Sequence, residues 1–146
     1  MALIKSSRSD ANAGFSGVKP WRPVEAGYTE VNVAAQADNP ASLLSHYRAL
    51  IAIRNSHPTL RTGTVLFIPT GKSSVYGLLR VDKDEKILVL INLDGKPISD
   101  YTLDWNESGL TSGTLTPLMG TTDPSTVSAQ PVPELAPFTT YIFQVK

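Results

Sequence analysis

A length of 146 residues suits one domain, and an apolar share of 41% is enough to bury a core. With 13 basic and 13 acidic side chains the formal charge is zero, so the electrostatic footprint of a nucleic-acid or anionic-membrane binder is absent. There is no cysteine, which excludes disulfides, thiolate metal sites and a cysteine nucleophile.

The opening MALIKSSRSD has a short apolar patch at Ala2, Leu3 and Ile4 but no signal-type apolar region, and no run reaches the ~18 apolar residues of a membrane span. The chain is expected to be soluble, with the cytoplasm favoured. From residue 1 to 38, Gly14, Gly17, Pro20, Pro23 and Gly27 interrupt every period, and Phe15, Trp21 and Tyr28 stand as isolated aromatics. This stretch reads as a long ordered loop or tail without elements of its own. Such length is uncommon in a compact domain, and it implies that the segment lies against something the 146 residues do not supply.

Residues 39–61, NPASLLSHYRALIAIRNSHPTLR, carry helix punctuation at both ends. Asn39 suits the N-cap, Pro40 the first turn and Pro58 the stop, giving a helix from about Pro40 to His57. Leu43, Leu44, Tyr47, Leu50, Ile51 and Ile53 fall on one broad arc, with Ser45, Arg48 and Asn55 opposite, so one face is expected to be buried. Arg54 projects from that apolar arc and either reaches a carboxylate or backbone carbonyls, or runs its head out to water.

Residues 62–146 read as short strands separated by turns: 62–69, 75–81, 86–92, 101–105, 113–118 and 137–145. Ile87 to Ile91 is apolar on both faces and marks a central strand, whereas 101–105 alternates and has one wet side. Gly120 to Pro131 is polar, proline-punctuated and expected at the surface. The fold class is therefore mainly β, an antiparallel β-sandwich preceded by a long loop and one amphipathic helix.

The chemistry-bearing residues are sparse. His46 and His57 are the only histidines and have no partner at metal spacing, so no metal site and no cofactor are expected. Asp82-Lys83-Asp84-Glu85 lacks the glycine and terminal glutamate of a calcium hand and reads as a solvated hairpin turn; Asp104 and Glu107 are likewise expected in solvent. There is no Gly-x-Ser-x-Gly elbow and no phosphate loop. Aromatics remain as candidates for stacking on sugar faces. Trp21 and Phe15 either line such a site or anchor their loop, and Trp105 either plugs the core or lies on the surface as a platform.

The order of NAGFSGVKPWRPV, then Asn32 and Gln36, then SLLSHYRALIAIRNSHPTLRTG, then antiparallel strands resembles glycoside hydrolase family 13, the α-amylase family, nearest its α-glucosidase, oligo-1,6-glucosidase and trehalose-synthase branches. The resemblance implies that 1–38 is a loop remnant of a (β/α)8 barrel, 39–61 its last helix and 62–146 the C-terminal sandwich domain. It also implies that Asn12, Phe15 and Trp21 sit near a substrate entrance. Retaining hydrolysis needs two carboxyl groups about 5 Å apart at barrel strand ends. The family's motifs for them have no match here, so no catalytic residue is assigned and the chain alone is expected to be inactive. The implied partners are the missing catalytic barrel, an α-glucan bound through Asn12, Phe15, Trp21 or Trp105, and a second copy through the apolar helix face.

Overall fold

The structure, a computed structural model, describes residues 11–111, 113–121, 125–126 and 134–146. It divides into two compact units, one running to Ile53 and the other covering Arg54–Lys146.

The first unit is less irregular than its glycines and prolines suggest. Short 3-10 turns form at Ala11–Gly14 and Ala26–Thr29, and a one-turn helix α1 follows at Val33–Ala37. The expectation of a segment without elements is thus corrected. What the periodicity could not show is that Asn32, fully buried, caps α1 through Oδ1 on the Ala35 amide (2.8 Å) while its Nδ2 donates to the carbonyls of Tyr28 and Thr29. One side chain satisfies a helix start and a preceding turn together, which is why the loop is ordered.

The long helix α2 spans Leu43–Ser56 and starts later than expected. The Asn39 side chain accepts from the Ala41 amide, forming a turn, and Ser42 takes the cap position, its Oγ accepting from Ser45 N at 3.1 Å. Gln36 binds the Leu44 amide through Oε1 and accepts the Ser42 hydroxyl at its backbone oxygen, joining α1 to the start of α2. No residue of α2 is buried. Tyr47 and Ile51 on the apolar arc are 52% and 54% exposed while Leu44, Leu50 and Ile53 are half-buried, so the face expected to be buried is only partly covered.

In the second unit α3, Thr59–Thr62, follows directly, and the Arg54 guanidinium donates to the Leu60 carbonyl at 2.7 Å, the backbone-carbonyl outcome. Six antiparallel strands come next: β1 Thr64–Phe67, β2 Val75–Val81, β3 Lys86–Asn92, β4 Thr114–Met119, β5 Ser125–Thr126 and β6 Thr140–Val145, in the order β1-β2-β3-β6-β4-β5. The mainly β, antiparallel reading is borne out, and β3 is central as its two-sided apolar run requires.

Register assigns each face. Leu66, Leu79, Leu88 and Phe143 form one row across four strands, and Gly77, Leu90 and Tyr141 form the next. This is the core face, sealed by Ile98, Tyr101 and Leu135, with Leu103, Trp105 and Leu110 packed at its margin. The covering layer is not laddered. Residues 101–105, expected as a strand, form no ladder; Thr102 N donates to Thr70 O and Asp104 N to Pro69 O, while Ile98 and Leu135 make an isolated bridge. The expected surface excursion from Gly120 to Pro131 falls largely outside the described residues.

Candidate functional site

The loop that the aromatics singled out is built on three consecutive left-handed residues: Asn12 (φ 55°), Ala13 (φ 57°) and Gly14 (φ 73°). Only Gly14 adopts this conformation without steric cost; the two residues before it carry roughly 1–2 kcal/mol each. Compensation comes from Asn12, whose Nδ2 donates to Ser16 O (2.9 Å) and Val18 O (3.3 Å), and from burial of Ala13. Both amide hydrogens of Asn12 are spent on the loop itself. Asn12 thereby shapes the turn, with Oδ1 left as the atom able to accept.

The turn delivers a groove of about 570 Å³ lined by Asn12, Lys19, Pro20, Trp21, Pro23, Val24 and Tyr28. Trp21 is 90% exposed, with the Arg22 guanidinium 5.0 Å from its ring centroid. An indole so displayed offers an apolar face, while Lys19, the Tyr28 hydroxyl and Asn12 Oδ1 offer hydrogen bonds at the edge. The lining contains no carboxylate and no histidine. It can bind a ligand with apolar faces and hydroxyl edges; it holds no acid and base pair.

Of the expected site residues, Asn12 and Trp21 share this groove. Phe15 is exposed in the same loop but is not among the lining residues. Trp105 belongs to the other unit, where it is half-buried against the β-core. Lys19 and Tyr28 join the groove without having been singled out as ligand contacts. The only signal for them was proximity to Trp21 in sequence.

A second cluster lies at the β2–β3 turn. Two of the acids expected in solvent are engaged there. Asp82 accepts the Thr59 hydroxyl at 2.5 Å and the amides of Asp84 and Glu85; these bonds, that to Thr59 first, hold its carboxyl below the ordinary carboxylate range. Glu85 is largely shielded. Its Oε1 lies 2.7 Å from His57 Nδ1 and accepts Gln144 Nε2 at 2.8 Å. Asp84, by contrast, is exposed beside Lys83, and Asp104 and Glu107 are exposed as expected. The turn therefore clasps the α2–α3 corner and strand β6 together. Gly63 fits the same corner because a Cβ there would sit 2.6 Å from Thr59 O and 3.0 Å from Val81 O. Among the described residues no group of three or more acidic, histidine or cysteine side chains could hold a metal ion.

Residues 6–63 match the model of the α-amylase catalytic domain. A probable α-glucosidase of Rhizobium meliloti is 38% identical over 82 residues, 56% of this chain and 15% of that protein. The oligo-1,6-glucosidase of Parageobacillus thermoglucosidasius is 34% identical over 58% of this chain and 15% of its own, and the trehalose synthase of Thermus thermophilus 40% identical over 62% and 9%. Among solved structures, the trehalulose synthase MutB of Pseudomonas mesoacidophila MX-45 aligns with TM-score 0.75 and 32% identity, covering 97% of this chain and 24% of that one. The chain thus spans well under a third of the length of the relatives it matches. The chain is similar to a fragment of α-amylase-family (glycoside hydrolase family 13) proteins, with the family's catalytic-domain match confined to residues 6–63.

Proposed function

We propose that this chain is the non-catalytic C-terminal region of an α-amylase-family enzyme acting on α-glucosidic bonds, and that its native work is to brace and edge the catalytic barrel. In this reading residues 1–38 and 39–61 are the last loop and helix of the barrel, and 62–146 the C-terminal domain. The observation that carries it is α2: a 14-residue helix inside the catalytic-domain match, with an apolar arc and not one buried residue. A helix of this kind draws most of its stability from packing, so its face belongs against other barrel helices.

Purified chain incubated with maltose or isomaltose should release no reducing sugar. Turnover at any rate above a buffer blank would overturn the reading.

A second reading rests on the Trp21 groove, whose exposed indole and hydroxyl-compatible rim suit an α-glucan. Titration of malto-oligosaccharides into the chain, followed by tryptophan fluorescence, should show a saturable change that Trp21→Ala removes and Trp105→Phe leaves in place. No response at millimolar sugar rejects it. In the absence of the barrel, the exposed part of the α2 arc would also drive self-association, which sedimentation reads directly.

A further inference from the structure

Strand β3 ends in an exposed turn, Leu93-Asp94-Gly95-Lys96. Asp94 is the one aspartate or asparagine in the 146 residues that is followed by glycine. Its backbone is held on both sides: the Asp94 amide donates to Asn92 Oδ1 at 2.8 Å, and its carbonyl accepts the Phe138 amide at 3.1 Å. Asn92 is buried, and its Nδ2 donates to the carbonyls of Lys96, Leu135 and Ala136. The turn is therefore the joint at which the end of β3, the Ile98–Leu135 bridge and the approach to β6 meet.

Two groups in this joint are unused. Among the described residues, neither the Asp94 carboxyl nor the Gly95 amide has a hydrogen-bond partner. Other candidates of the same chemistry are committed: Asp82 accepts three hydrogen bonds, Asp100 is paired with Lys72, and Asn12 and Asn32 spend their amides on backbone carbonyls. No side chain shields the nitrogen at position 95, where a Cβ would press on the Phe138 ring at 3.3 Å. Phe138 itself is 74% exposed and left-handed (φ 50°), a conformation that an aromatic residue keeps only when its surroundings impose it. The bond to Asp94 is one such restraint.

We propose that Asp94-Gly95 is a self-modifying site: the aspartate rearranges to isoaspartate, loosens the joint at Phe138, and becomes a substrate for an S-adenosylmethionine-dependent isoaspartyl carboxyl methyltransferase. In the first step the Gly95 nitrogen attacks Asp94 Cγ; its proton and the carboxyl hydroxyl leave as water, and a five-membered cyclic imide forms. In the second, water adds at the Asp94 backbone carbonyl carbon and that C–N bond breaks. The main chain then runs through Cβ and Cγ, one methylene longer, and the former backbone carbonyl becomes a free carboxylate. Water is released once and taken up once, and no oxidant or reductant is needed. The methyltransferase then moves a methyl group from the sulfonium of S-adenosylmethionine to an oxygen of that carboxylate. Because the acceptor for Phe138 N has left the main chain, the restraint on the left-handed residue is lost.

The test keeps the purified 146-residue chain folded at pH 6 over several weeks and labels samples with isoaspartyl methyltransferase and radioactive S-adenosylmethionine. Label should rise toward one group per chain and map to the peptide containing residues 94 and 95, whose retention changes while its mass does not. The aged chain should melt about 4–8 °C below the fresh one, the shift expected for one hydrogen bond in a unit of this size. Asp94→Glu keeps both backbone hydrogen bonds but closes a six-membered ring far more slowly, so it should take up no label and keep its Tm on ageing. Asp94→Asn should label faster, because ammonia leaves its amide more readily than water leaves a carboxyl group. No label in the folded chain, label only after unfolding in urea, label undiminished in Asp94→Glu, or an aged chain that melts with the fresh one would each overturn the proposal.

Discussion

Replacing Glu85 by alanine tests the clasp at the β2–β3 turn. The carboxylate is the shared acceptor for His57 Nδ1 at 2.7 Å and Gln144 Nε2 at 2.8 Å, and the His57 and Glu85 side chains are only 17% and 15% exposed. Alanine leaves two partly enclosed donors without an acceptor. At about 0.5–1.5 kcal/mol per hydrogen bond the loss is about 1–3 kcal/mol, discounted toward the lower half because water reaches part of the site. For a unit the size of Arg54–Lys146, each kcal/mol moves Tm by roughly 4–8 °C, so a drop on the order of 4–16 °C is expected. Thermal unfolding followed by far-UV circular dichroism measures it. Asp84→Ala is the control: its carboxylate is exposed and 3.4 Å from Lys83, a surface pair expected to leave Tm unchanged. If the two variants melt together, Glu85 is as solvated as its sequence context suggests and the clasp does not hold the α2–α3 corner.

Asp82 supplies a pH prediction. Its carboxyl titrates below the ordinary range because the charged form accepts the Thr59 hydroxyl and two amides. A depressed native value stabilises the fold above the unfolded value near 3.8 and loses that contribution as pH falls through the native value. Asp82→Asn should therefore cost stability at pH 7 and little at pH 2, in urea titrations at both; equal costs would contradict the assignment. At Gly63 a methyl group would meet Thr59 O at 2.6 Å, so Gly63→Ala should lose about 1–3 kcal/mol by overpacking, whereas Gly17→Ala, with open space at its Cβ and no positive φ, should lose less. Chemical denaturation of both variants decides.

How much of this was legible in the chain varies with the range of the interaction. Strands β2 and β3 were readable to the residue because Val75 to Val81 and Lys86 to Asn92 carry their own pattern and a polar turn between them. The start of α2 was misread because Asn39-Pro40 has the right residue types, while Ser42, three residues later, has the right geometry. Residues 101–105 alternate like a strand, but their amides reach only Pro69 and Thr70, so no ladder forms. The acids at the β2–β3 turn looked solvated since Asp-Lys-Asp-Glu is a polar loop. Their partners lie 23, 28 and 59 residues away, beyond any local pattern. In the loop, the aromatics marked the groove, but nothing in the residue types revealed that Asn12 spends its amide on Ser16 and Val18.

The central claim is that these residues brace and bind but do not cleave. The most direct measurement is reducing-sugar release from maltose and isomaltose by the purified 146-residue chain, set beside an active α-glucosidase as positive control under the same conditions. The account predicts turnover by the control and none by the chain; hydrolysis by the chain alone would contradict it.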